Sequence, residues 1–311
     1  MEYLHQPVLL QEVIQHLITV PHGLYVDGTV GCGGHSEAIG EKISSEGRLI
    51  CLDMDSDAVS LSRKRLSPMG ERVSVIRANY AELDGIFRDL ELKRADGILL
   101  DLGLSSYQLE QSCRGFSFKR DEPLDMRMDP ENPITAGRLI RDLSSKALEK
   151  ILKKYGEERR AGIIVKSIAR EQKKGPIDSS LNLAKLIQAV LPPSRRPGAK
   201  HPATKTFQAL RIAVNRELEN LETFLDKVPD LLNRGGRLVV LSYHSLEDRA
   251  VKQAMANWEK SCLCPPDLPK CGCDKRTLFK RVNKKGIKPG EHEIGVNPRA
   301  RSAILRTAER I

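Results

Sequence analysis

The sequence predicts an α/β protein, a parallel sheet wound by right-handed crossovers and interrupted by a helical insertion. Three observations carry that reading. Short apolar runs alternate with helix-compatible stretches over the first hundred or so residues. The strand-like runs then stop for about a hundred residues of basic and helical character, and afterwards they resume. A chain of 311 residues is long enough for two compact domains, or for one domain with a large insertion.

Taken in order, Pro7 precedes Val8, Leu9, Val13, Ile14 and Leu17 at helical spacing. "GLYVD" (23–27) and "GRLICLD" (47–53) read as strands on either side of a helix-compatible stretch, 36–45. "RVSVIRANY" (72–80) and "ADGILLDLG" (95–103) follow, each after a segment of helical character. Three of these four strands end on an acid, at Asp27, Asp53 and Asp101, and the remaining one runs out near Asn79 and Tyr80. Ligands of open α/β sheets sit beyond the carboxyl ends of the strands, so these residues fall where a site belongs. From about 105 to 202 no strand is expected, and the basic, proline-rich "LPPSRRPGAKHP" closes that stretch. Residues 203–228 read as one helix whose single apolar stripe is Phe207, Leu210, Val214, Leu218, Leu221, Phe224, Leu225 and Val228. "GGRLVVLSYHS" resumes the sheet, and "RTLFKRV" and "SAILRTAE" are later strand candidates. The expected division is a core's first part in 1–108, an inserted helical substrate-recognition domain in 109–205, and the core's second part with a Cys-rich basic segment in 206–311.

The loop after the first strand, "DGTVGCGGHS", carries four glycines and names the ligand class. Its spacing from Gly28 to Gly33 fits the first half of a P-loop, but Gly34-His35 stands where Lys-Ser/Thr is required. A dinucleotide pattern starting at Gly31 meets Ser36 at its third glycine, which argues against a dehydrogenase. A carboxylate, Asp27, opens the loop and would repel a pyrophosphate. S-adenosylmethionine carries an ammonium and a sulfonium and no phosphate, and its ribose calls for a second carboxylate, which Asp53 supplies at the next strand end.

Composition narrows the partners. Lysine and arginine number 51 against 41 acids, a net charge of +10, which favours an anionic partner. Arg195, Arg196, Lys200, His201 and Lys205 form one basic run, and Lys270, Lys275, Arg276, Lys280, Arg281, Lys284, Lys285 and Lys288 form another. Either alone reads as a solvated face; together they favour an RNA backbone. Aromatics are 4%, so phosphate and shape contacts should dominate over stacking, with one base extruded into the pocket. No run approaches the roughly 20 apolar residues of a membrane span, and the first residues lack the marks of a signal peptide, so a cytoplasmic protein with no membrane partner is expected. "CLCPPDLPKCGC" brings Cys262, Cys264, Cys271 and Cys273 into twelve residues, either a structural zinc site or reduced thiols.

Several stretches resemble the ribosomal RNA small subunit methyltransferase H (MraW-type) family: "HQPVLLQEV", "DGTVGCGGHS", "DGILLDLGLSS", "RGFSFKRDEPLDMRMD", "KTFQALRIAVNREL", "SYHSLEDR" and "NPRARSAILRTAER". They span nearly the whole chain. The resemblance implies a class I S-adenosylmethionine-dependent methyltransferase (Rossmann-like) sheet with a helical domain inserted after the fourth strand. It implies methylation of the exocyclic N4 of a cytidine in the decoding centre of 16S rRNA, in the small ribosomal subunit. It places cofactor contacts on Gly33, Gly34, His35, Asp53, Tyr80, Asp101 and Gln108. A homodimer is a further candidate partner, and another RNA or DNA base, or a non-catalytic assembly factor, is the alternative function.

Cytosine N4 is a poor nucleophile because its lone pair is delocalised, so an acceptor near N4–H would help it attack. Asp101 is the candidate by location, either in that role or as a cofactor ligand only. His244, just past the fifth strand, is either a second proton acceptor or an orienting residue. His5 is expected in an N-terminal segment that folds over the site.

Overall fold

The computed structural model describes residues 7–191, 201–262, 264, 273 and 276–311. The chain forms two compact units, 1–103 with 218–311, and 104–217. His5, Arg195, Arg196, Lys200, Lys270, Cys271 and Lys275 lie outside the described residues.

The first unit is built on seven strands: β1 (Leu24–Asp27), β2 (Arg48–Asp53), β3 (Val73–Arg77), β4 (Ala95–Asp101), β5 (Leu232–Ser242), β6 (Phe279–Arg281) and β7 (Ile304–Arg310). Their spatial order is β3-β2-β1-β4-β5-β7-β6. The first five are parallel to one another, as crossover connections require, and β7 runs antiparallel to both β5 and β6. Helices α1 (Leu10–Leu17), α2 (Gly34–Lys42), α3 (Ser56–Leu66) and α4 (Leu83–Asp89) alternate with the first strands.

Side chains alternate across the sheet with period two, and each face has its own core. Ile50, Leu52, Ile98, Leu100, Leu238 and Val240 share one cluster. Their sequence neighbours Leu49, Cys51, Leu99, Val239 and Leu241 lie in the other, with Val13 and Leu17 of α1 and Ile39 of α2. Strands buried on both faces read as continuous apolar runs, which is why they were visible in the sequence.

The second unit holds α5 (Ser106–Glu110), α6 (Ala136–Asp142), α7 (Ser145–Gly156), α8 (Ala161–Gln172), α9 (Ser180–Val190) and α10 (Thr204–Asn215). Leu148, Leu152, Ile164, Ile168, Leu183 and Ile187 fill its core, and among the described residues it contains no named strand. Here the structure corrects the sequence reading. The stretch 203–228 is two helices, α10 and α11 (Glu217–Leu231), because Arg216 turns left-handed at φ 52°. The apolar stripe is divided accordingly. Phe207, Leu210 and Val214 belong to the helical unit's core, while Leu221, Phe224, Leu225 and Val228 pack on the sheet. The helical unit therefore includes α10, which the boundary at 205 had assigned to the core, and it begins at Leu104 rather than 109.

The chain then returns through α12 (Ser245–Glu259) and α13 (Glu291–Val296). No helix among the described residues is long and apolar enough to cross a membrane.

Candidate active site

Register places the site. Asp27, at the end of β1, pairs with Cys51 and with Leu99, so Asp53 and Asp101 each lie two residues further along on the flanking strands. The glycine loop fills the space between those two strand ends. Gly28 N–H donates to Leu99 O at 2.9 Å and Val30 N–H to Leu52 O at 2.8 Å. Gly31 N–H donates to Asp53 Oδ2 at 3.0 Å, and Asp101 N–H donates to Thr29 Oγ1 at 2.6 Å. Gly31 and Gly33 have φ of 50° and 83°, a left-handed path that glycine takes without a Cβ penalty.

Asp27 is 1% exposed and turned inward. Its Oδ2 accepts from Ser36 Oγ at 2.6 Å and its Oδ1 from Thr29 N–H at 3.1 Å, so it ties the loop to the start of α2. The expected ligand contact at Asp27 thus falls on a carboxylate buried inside the fold and bonded to Ser36 and Thr29. Burial pushes its pKa up, against the pull of Ser36, His35 and Thr29. Ser36, which broke the dinucleotide pattern, is the partner that makes this arrangement, and it also accepts from Cys51 Sγ at 3.2 Å.

Asp53 is only partly buried. Its Oδ1 accepts from Asp55 N–H at 2.9 Å, and with the Gly31 bond this orients the carboxylate at the end of β2. Burial pushes its pKa up to about 6, although both backbone donors oppose the shift.

Asp101 sits between two donors that come from distant parts of the chain. Tyr243 Oη donates to its Oδ1 at 2.7 Å, and His35 Nδ1 lies 3.4 Å from its Oδ2. The Tyr243 ring lies over Gly103, where φ is 107° and an added Cβ would come within 3.2 Å of the ring. The other nitrogen of His35, Nε2, is 3.0 Å from Val8 O. Both ring nitrogens thus face acceptors, which favours the doubly protonated ring. Burial works against that charge, but Asp101, Asp27 and the Val8 carbonyl outweigh it, and the His35 pKa is raised. For Tyr243, burial and then Asp101 hold the phenol well above its ordinary value, so it stays a donor.

His35 also fastens the N-terminal segment. Leu9 is left-handed (φ 51°) and its N–H donates to Glu293 Oε1 of α13 at 2.7 Å, so residues 8 and 9 are held from two sides. Pro7 covers Gly34, whose missing Cβ would lie 2.7 Å from Pro7 Cγ.

The remaining expected residues are placed differently. Tyr80 packs edge-on against Phe224 with centroids 5.6 Å apart and is partly exposed. Gln108 lies in the helical unit as N3 of α5, in a reciprocal capping box with Ser105. His244 is the N-cap of α12. Its Nδ1 accepts from Glu247 N–H at 3.3 Å, and its Nε2 is 3.0 Å from Glu247 Oε1. Through Nδ1 the ring caps its own helix, an orienting arrangement. The residue that sequence reasoning missed is its neighbour Tyr243.

A profile of the MraW methylase family matches residues 2–311. The chain belongs to the MraW methylase family. Among the relatives that carry the name Ribosomal RNA small subunit methyltransferase H are three of 44–47% identity. The one from Syntrophus aciditrophicus is 47% identical over 307 residues, covering 99% of this chain and 98% of the relative. That from Symbiobacterium thermophilum is 44% identical over 311 residues, covering 100% and 98%. That from Heliobacterium mobile is 45% identical over 312 residues, covering 100% of both. This MraW-family chain is a methyltransferase, with the Rossmann-like sheet of the class I methyltransferases and a helical unit inserted between β4 and β5.

The donor set fits a nucleoside cofactor without phosphate. Residues 28–34 contain no lysine or arginine. Arg65, which reaches the loop at Cys32 O, is itself paired to Glu37 Oε2 at 2.6 Å. The half-buried Asp53 carboxylate is an acceptor suited to paired hydroxyls, not to an anion.

Proposed function

We propose that the protein transfers a methyl group from S-adenosylmethionine to the exocyclic N4 of a cytidine in the decoding centre, the P-site region, of 16S rRNA in the small ribosomal subunit. The names of its relatives supply the rRNA, and the observation that carries the chemistry is Asp101, fixed between Tyr243 and His35 at the end of β4.

The bound cofactor supplies an electrophilic sulfonium methyl whose leaving group is already good, so the protein's contribution is mainly positioning and electrostatics. Asp53 accepts from the ribose hydroxyls. The glycine loop at Gly33 and Gly34 lets the cofactor approach the backbone, with His35 at the first turn of α2, and Tyr80 borders the adenine. Asp101 accepts an N–H of the target amino group, which frees the N4 lone pair for in-line attack and stabilises the positive charge that grows on that nitrogen. Tyr243 and the His35 imidazolium limit rotation of the carboxylate, and their hydrogen bonds make Asp101 a fixed acceptor rather than a mobile base. The proton left on N4 after transfer passes to solvent. Exposed Lys284, Lys285 and Lys288 contribute to holding the RNA backbone.

The test separates binding from turnover. Asp53→Ala is expected to weaken binding of S-adenosylhomocysteine, measured by calorimetry. Asp101→Ala is expected to abolish methyl transfer to small subunits. Wild-type turnover in Asp101→Ala would remove the residue from the reaction.

A further inference from the structure

We infer that Cys262, Cys264 and Cys273 form a structural zinc site that closes the connection between α12 and β6. The three cysteines are not among the cofactor residues proposed above.

Its base is built first. Leu278 N–H donates to Trp258 O at 2.9 Å, and the Trp258 and Phe279 rings lie 4.7 Å apart. Arg281 Nε donates to Glu259 Oε2 at 2.7 Å. The two legs of the connection therefore leave α12 and enter β6 side by side. Cys262 and Cys264 stand on the outgoing leg and Cys273 on the returning one.

At that point the three sulfurs lie within 4.8 Å of one another. The Cys262–Cys273 separation is 3.6 Å. Thiolates sharing a tetrahedral zinc, each about 2.3 Å from the metal, stand about 3.8 Å apart, whereas a disulfide needs about 2.05 Å. The observed spacing is that of separate thiols which one tetrahedral ion could bridge. Cys264 N–H donates to Cys262 Sγ at 3.3 Å, a backbone donor of the kind that stabilises a thiolate. An all-thiolate set selects zinc over hard cations such as magnesium or calcium. Zinc takes four ligands, and these sulfurs supply three of them.

The benefit is local. Between Glu259 and Phe279 the sequence carries three prolines and few large apolar side chains, so a metal clip is an economical way to hold the two ends together. Each coordinated cysteine releases its proton to solvent on binding, and no oxidant or reductant is involved. The ordered connection would present Arg276 beside the basic run that continues to Lys288.

The test uses the full chain purified under reducing conditions without a histidine tag, with metal content measured by mass spectrometry. About one zinc ion per chain is expected, released when the thiols are titrated with a mercurial, and replaceable by cobalt with a thiolate-to-metal charge-transfer band. Cys262→Ser combined with Cys273→Ser should lose the zinc, while Cys113→Ser should keep it. Because the double variant could fold poorly, binding of S-adenosylhomocysteine is measured alongside, and it should persist. Protein that binds S-adenosylhomocysteine yet carries no zinc and takes none up would overturn the site. So would full zinc in the double variant, or a Cys262–Cys273 disulfide under the same conditions.

Discussion

Replacing Tyr243 by phenylalanine removes one oxygen and tests how Asp101 is held. The phenol donates to Asp101 Oδ1 at 2.7 Å, a short bond to a carboxylate. Bonds of that kind are worth about 1.5–3 kcal/mol. The Asp101 side chain is 24% exposed, so water recovers part of the loss, and about 1–2 kcal/mol should remain. If the bond matters to orientation in the transition state, that loss lowers kcat by about 5- to 30-fold. The assay is methyl transfer to small subunits at saturating cofactor, with the dissociation constant of S-adenosylhomocysteine measured in parallel. The account expects the loss in kcat, with cofactor affinity within about threefold. A loss confined to cofactor affinity would make Asp101 a cofactor ligand only. A kcat within about twofold of wild type, with affinity unchanged, would refute the positioning argument.

Other predictions follow from the same geometry. Asp53, with its pKa at about 6, should lose its charge as the pH falls through that value, so binding of S-adenosylhomocysteine should weaken below pH 6 in calorimetry. The sign for stability is the reverse: the fold disfavours the ionised form, so Asp53 lowers apo stability as pH rises from about 4 to about 6, and the thermal shift given by the ligand should grow over that window. His35 has a raised pKa, so its contribution is fully present below its ordinary value of 6.5 and is lost as pH rises through the higher folded value. The gap in Tm between wild type and His35→Gln should therefore be widest below pH 6.5 and narrow above it; a gap that widens with pH would contradict the charged ring. Gly115 has φ 69°, and an added Cβ would collide with the Pro123 carbonyl oxygen, so Gly115→Ala should destabilise the helical unit by about 2–5 kcal/mol in denaturant melts. Replacing Lys284, Lys285 and Lys288 by alanine should flatten the salt dependence of RNA binding by up to about two logarithmic units per decade.

Much of this architecture was legible because buried parallel strands announce themselves as apolar runs, and because three of them end on acids that the register then brings together. The helix break at Arg216 was not legible. Both halves carry a stripe at helical spacing, and nothing local says that the two halves face different cores. Tyr243 was passed over for His244 because an imidazole titrates near neutral pH and a phenol does not. The local pattern held a clue in His244 and Glu247, which have the N-cap-to-N3 spacing of a capping box, with histidine in a place usually taken by serine or threonine. Asp27 shows a related ambiguity. A strand-ending acid looks the same in sequence whether it faces a ligand or a serine nine residues on, and only the fold shows that Ser36 takes it.

The central claim is reaction, atom and substrate together, and one measurement addresses all three. Purified protein is incubated with radiolabelled S-adenosylmethionine and small subunits from cells lacking the corresponding gene, and the labelled nucleoside is identified by mass spectrometry. The account predicts N4-methylated cytidine in 16S rRNA, absent from reactions with the Asp101→Ala variant. Label on another base or atom, or cofactor binding with no transfer to the subunit, would contradict it.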